Sequence, residues 1–157
     1  MGSLILFNFK ISSISDFSSK GPTADGRLKP EITAPGYRVA SAINGNASPN
    51  IIDWEDIVGY VQHGNQTSIF GLNQGTSMAS PAVAGIIALW LQANNQLTHG
   101  QIKQIFRDSS IRDNFTGVIP IGGSNTWGWG KINAFRGIKA ITFRPSIFPS
   151  RDTSICA

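Results

Sequence analysis

The residue best placed to do chemistry is Ser77, in the triplet Gly75-Thr76-Ser77, where a short strand pattern runs into a long apolar stretch. A serine hydroxyl is a poor nucleophile until a base takes its proton and donors wait for the oxyanion its attack creates. A helix N-terminus supplies free N–H groups and a partial positive charge, so a serine there has part of that machinery built in. Gly75 permits the sharp turn that would present the hydroxyl. The same position suits a plain N-cap, since serine is a preferred capping residue. Position alone favours the cap.

The elements that must hold Ser77 follow from the hydrophobic pattern. Met78, Ala79, Ala82, Val83, Ala84 and the run Ile86 to Leu91 leave almost no polar face. They predict a helix from Ser77 to Leu91, buried on all sides and too short to span a bilayer. Pro81 is expected in its first turn, where a missing N–H costs least, and Gly85 leaves room for another backbone. Val39 to Ile43 and Ser68 to Leu72 read as short strands, as does Leu4 to Ile11. Asn44 to Gln66 reads as a long polar loop. Its acidic group, Asp53, Glu55 and Asp56, matches no cation-loop spacing and is expected to be solvated. Thr98 with Gln101 forms a capping box that opens a second helix, with Ile102, Ile105 and Phe106 on one face. Asn133 caps a third helix through Phe135, Ile138 and Ile141. The Gly-Pro and Asp-Gly pairs between Ser18 and Arg27 fix tight turns, and Arg144 to Pro149 reads as a linker.

Composition narrows the classes. The 157 residues are 41% apolar with 17 Gly and 8 Pro, which suits one folded domain rather than a disordered chain. Only 14% are charged, against roughly 25% in ordinary soluble domains. The net charge of +4 is spread from Lys10 to Arg151 without a cluster, so a nucleic-acid partner is not expected. Nor is a membrane partner. One cysteine, Cys156, excludes an internal disulfide, and with two histidines it leaves too few soft ligands for a structural zinc site. The start of the chain lacks the pattern of a signal peptide.

The wider sequence settles the choice at Ser77. Gly75-Thr76-Ser77-Met78-Ala79-Ser80-Pro81-Ala82-Val83-Ala84-Gly85 closely resembles the nucleophile motif of the subtilisin-like serine peptidases, the subtilases. Upstream, Phe17-Ser18-Ser19-Lys20-Gly21-Pro22-Thr23, Asp25-Gly26-Arg27, Lys29-Pro30-Glu31-Ile32 and Ala34-Pro35-Gly36 resemble the family segments that precede that motif, in the same order. Downstream, Trp129-Gly130-Lys131-Ile132-Asn133-Ala134 is similar to the stretch that opens the last helix of the catalytic domain.

The resemblance implies that Ser77 is the acyl-forming nucleophile. Its own N–H would be one oxyanion donor, with Thr76 and Gly75 supporting the same pocket and Met78 beside it. Thr23, Pro35 and Gly36 would hold loops by their turn geometry. The implied fold is α/β, a three-layer sandwich with a mostly parallel sheet, of which only the C-terminal portion is expected here. Residues 1–141 are read as the C-terminal half of a subtilase peptidase domain, and 142–157 as a linker or the start of a C-terminal extension. The implied activity is serine-type endopeptidase action, extracellular, on a protein or peptide substrate. No cofactor is expected. Calcium is a common prop in the family, but no site for it is identifiable.

The family orders its triad Asp, His, Ser, with the first two far upstream of the serine. No segment before Ser77 resembles the motifs that carry them, and Asn8 lacks the glycine-rich context of a side-chain oxyanion donor. His63, His99 and Asp16 read as surface residues. The chain alone is therefore expected to be inactive, its missing partner being the N-terminal half of the catalytic domain. The alternative is a truncated subtilase remnant acting as a binding or scaffold module. An α/β-hydrolase esterase would need an acid and then a histidine after the serine, but His99 precedes Asp108 and Asp113. Asn46-Ala47-Ser48, Asn65-Gln66-Thr67 and Asn114-Phe115-Thr116 are N-glycosylation acceptors by pattern, of consequence only on a eukaryotic secretory route.

Overall fold

A computed structural model describes residues 13–43 and 56–143. Three strands and three helices follow in chain order: β1 (Val39–Ile43), β2 (Ile57–His63), β3 (Gln66–Asn73), α1 (Thr76–Ala93), α2 (His99–Ser109) and α3 (Ala134–Phe143). The class is α/β, as expected.

The strands form one sheet in the order β1-β3-β2, with both pairings antiparallel. This differs from the parallel sheet the resemblance implies. The cause is local: the turn at Gly64-Asn65 folds β2 straight back onto β3, pairing His63 with Gln66. A two-residue turn joins only antiparallel strands. The expected strands at Val39–Ile43 and Ser68–Leu72 are present as β1 and the body of β3. The polar loop is in part a strand, because the β-favouring run Ile57-Val58-Gly59-Tyr60-Val61 builds β2. Parallel pairing occurs at a single bridge among the described residues, Thr33 with Lys131. Leu4–Ile11 and Arg144–Pro149 lie outside the described residues.

The core gathers where the three helices meet. Trp90, Leu97, Ile105, Phe106, Trp129 and Ile141 form one buried cluster. Trp90 is its centre, fully buried, with its ring tilted against Phe106 at 5.7 Å and its indole N–H donating to the Ala134 carbonyl at 3.0 Å. That bond satisfies the polar atom burial would otherwise strand. Gly137 of α3 lies directly against the Trp90 ring, where a Cβ would collide with it. The capping box at α2 is complete: the Thr98 hydroxyl accepts from the Gln101 N–H, and the Gln101 side chain accepts from the Thr98 N–H at 2.8 Å. Asn133 caps α3, accepting from the Arg136 N–H at 2.8 Å.

Helix α1 departs from its expected burial. It spans 18 residues rather than fifteen, with a mean hydropathy of 1.3, so by length and composition it reaches the lower limit for a bilayer span. Only Trp90 is fully buried on it. Pro81, Ala84, Gly85, Ala88 and Leu89 are exposed, and a Cβ at Gly85 would meet no other described residue. Pro81 is the sixth residue of the helix, beyond the first turn, so the Ser77 carbonyl lacks its usual N–H partner four residues on. The helix is apolar all round, yet packed on one side only.

Candidate active site

Gly75 is the N-cap residue of α1 and no side chain caps the helix, so Ser77 is not the cap. It lies in the first turn with its side chain exposed. The tip carrying it is therefore open to water, where the hydrophobic pattern implies burial on all sides. First-turn N–H groups have no partner inside a helix, and the Ser77 N–H, with no acceptor among the described residues, points out of the helix end as a donor. The first turn holds no acidic residue to neutralise the positive pole. A hydroxyl, an adjacent N–H and an unopposed helix pole thus share one turn. That combination suits a nucleophile and its oxyanion.

The turn is fixed by the segment the sequence assigned to loop support. The Gly75 N–H donates to the Gly36 carbonyl at 2.8 Å, and the Met78 N–H closes back on the Gly75 carbonyl at 3.1 Å. Gly75 holds φ at 147°, a conformation L side chains rarely adopt. Gly36 is equally constrained, because a Cβ there would lie 2.7 Å from the Gly75 carbonyl oxygen. Two glycines are needed for the two backbones to meet.

The same upstream segment reaches the third motif. The Trp129 N–H donates to the Glu31 carbonyl at 2.9 Å, the Thr33 N–H to the Gly130 carbonyl at 3.0 Å, and the Ile132 N–H to the Thr33 carbonyl at 2.9 Å. Residues 31–36 are therefore a splint, bonded at one end to Trp129–Ile132 and at the other to the Ser77 turn. Charges reinforce it. Partial burial pushes the Glu31 carboxyl up, but the ammonium groups of Lys29 (2.5 Å) and Lys103 (3.2 Å) outweigh that and hold it below its ordinary value of 4.5. The Lys131 ammonium, 2.8 Å away, likewise holds the Asp113 carboxyl below 3.8.

A groove of about 1520 Å³ runs beside the splint, with Ile32, Val83, Ile87 and Phe106 among its apolar walls. Gly75 and Thr76 line it, but Ser77 does not. The groove thus begins one residue from the candidate nucleophile.

The described histidines do not reach Ser77. His63 pairs with Gln66 at the far end of β3 from Asn73, seven residues or roughly 23 Å along the strand. His99 opens α2 beyond the far end of α1, which is about 25 Å long from Ser77 to Asn94. Both are exposed. Asp16 lines the groove, exposed. Of the acidic group in the loop, Asp56 is ion-paired with Arg38 at 3.1 Å, and Asp53 and Glu55 lie outside the described residues. Calcium takes six to eight oxygens. Among the described residues no three of His, Cys, Asp or Glu come together.

Comparison with known proteins identifies the family. The family model described as Subtilase family matches residues 10–130. The serine protease AprX of Bacillus subtilis is 34% identical over 122 residues, covering 78% of this chain and 24% of that protein. The minor extracellular protease Vpr of the same organism is 34% identical over 130 residues, covering 81% of this chain and 14% of its own length. Bacillopeptidase F, also of Bacillus subtilis, is 30% identical over 129 residues, covering 82% and 8%. The chain belongs to the subtilase family, a family of serine peptidases. It spans a quarter or less of the length of these relatives.

Proposed function

We propose that the chain is the C-terminal part of an extracellular serine endopeptidase domain that cleaves peptide bonds through an acyl-enzyme on Ser77. One observation carries this reading: Ser77 is exposed beside an outward-pointing N–H in an uncapped, uncharged first turn pinned by the Gly36–Gly75 bond. The general base and its orienting acid come from the N-terminal half of the domain, consistent with the remoteness of His63 and His99 from the serine. The chain alone is inactive on this account. The open face of α1 and the neighbouring groove are where the N-terminal half of the domain packs, completing a three-layer sandwich with a parallel sheet. The isolated parallel bridge between Thr33 and Lys131 is in keeping with a parallel pairing there.

Co-expression with the upstream part of the catalytic domain of AprX tests this. Hydrolysis of a peptide amide should appear only in the assembled pair, and Ser77→Ala should lower it by about 10⁴-fold or more, the scale seen when a related triad is dismantled. Assembly without hydrolysis would overturn the catalytic reading. It would favour a non-catalytic binding module, a second reading to which the uncovered α1 face lends some weight.

A further inference from the structure

Two of the three glycosylation patterns fall among the described residues, and the fold treats them differently. Asn65 sits in the β2–β3 turn and Gln66 and Thr67 open β3, with all three residues exposed. Among the described residues the Thr67 hydroxyl hydrogen-bonds to the exposed Gln62 side chain, donating to its Oε1 at 2.7 Å. Water or an approaching protein exchanges such a bond at little cost.

Asn114-Phe115-Thr116 is closed by comparison. Asn114 is exposed, but Thr116 is only 8% exposed. Its hydroxyl accepts from the Asp113 N–H at 2.9 Å and lies 2.9 Å from the Asp113 carbonyl oxygen, to which it donates. The Asp113 carboxylate in turn accepts from the Phe115 N–H at 3.0 Å and the Thr116 N–H at 3.2 Å, and is held by Lys131. All but the lysine contact lie within four residues, so the turn is closed by local bonds. The threonine hydroxyl that an acceptor site must present is already spent.

We propose that, on a eukaryotic secretory route, Asn65 is an N-glycan acceptor and that Asn114, despite its matching pattern, is not. The co-substrate is an oligosaccharide linked to a polyprenyl diphosphate. The Asn65 Nδ2 attacks the anomeric carbon, the bond from that carbon to the diphosphate oxygen breaks, Nδ2 loses a proton, and polyprenyl diphosphate leaves. The placement has a consequence for the sheet. β2 is an edge strand whose Val58, Tyr60 and Val61 are each more than half exposed. A bulky polar glycan at the end of that edge hinders its pairing with another chain.

The test is expression of the full chain behind a secretory leader in a eukaryotic cell, with glycan occupancy measured by peptide mass spectrometry on total cellular and secreted material together. Retained and secreted molecules then both count. Occupancy at Asn65 should be several-fold higher than at Asn114, and Thr67→Ala should abolish it at Asn65 alone. An unmodified Asn65, or equal or greater occupancy at Asn114, overturns the proposal.

Discussion

The two ends of α1 meet different fates. At the C-terminal end Trp90 is sealed between Phe106 and Gly137 and bonded to Ala134. At the N-terminal end Ser77, Ser80 and Pro81 face water, and contact with the rest of the molecule runs through Gly36 and the groove walls. One end holds the fold together; the other is held in place by it. Stability and chemistry therefore separate along a single helix, and substitutions at its two ends should differ in kind.

Trp90→Ala should be the most damaging change, costing about 3–5 kcal/mol for the cavity. Urea unfolding followed by circular dichroism would show it, and a loss under about 1 kcal/mol would mean that the packed end is not the anchor. Gly75→Ala forces a side chain into a left-handed φ and should cost about 1–3 kcal/mol. It should also lower activity in the assembled enzyme by more than its stability loss explains, since the Ser77 turn moves with it. An active, equally stable variant would remove the Gly36–Gly75 bond from the positioning account.

Acid tests the splint. Because the folded Glu31 carboxyl is held below 4.5, its pairing with Lys29 and Lys103 stabilises the protein above that value and is lost as pH falls through the lower folded one. The half-exposed pair is worth about 1 kcal/mol at most. The urea midpoint should therefore fall on acidification below pH 4.5, and Glu31→Gln should flatten that part of the decline. A profile unchanged by Glu31→Gln would contradict it. The smallest effect should come from Leu89→Glu on the open face, within about 0.5 kcal/mol of the parent in the chain alone. The same change should block assembly with the upstream part of the domain. Destabilisation of the chain itself would mean that this face is already packed.

Much of this was legible before any coordinates. The capping box at Thr98 and Gln101, the cap at Asn133 and the strands β1 and β3 depend on short-range chemistry, which a sequence carries openly. The motif around Ser77 placed the family. The open face of α1 was not legible, because an all-apolar helix reads the same whether its neighbours are present or absent. Strand β2 was hidden by the polar residues on both sides of Ile57–Val61. The splint was recognisable only as three separate motifs; that Gly36 touches Gly75, and Thr33 touches Gly130, depends on contacts between residues far apart in the chain.

The most direct measurement is labelling of Ser77 by a fluorophosphonate probe, with the chain alone and after assembly with the upstream part of a subtilase catalytic domain. The account predicts no labelling alone, and rapid labelling in the assembly that Ser77→Ala abolishes. Labelling of the isolated chain at Ser77, or an assembled pair in which Ser77 stays unmodified, would contradict it.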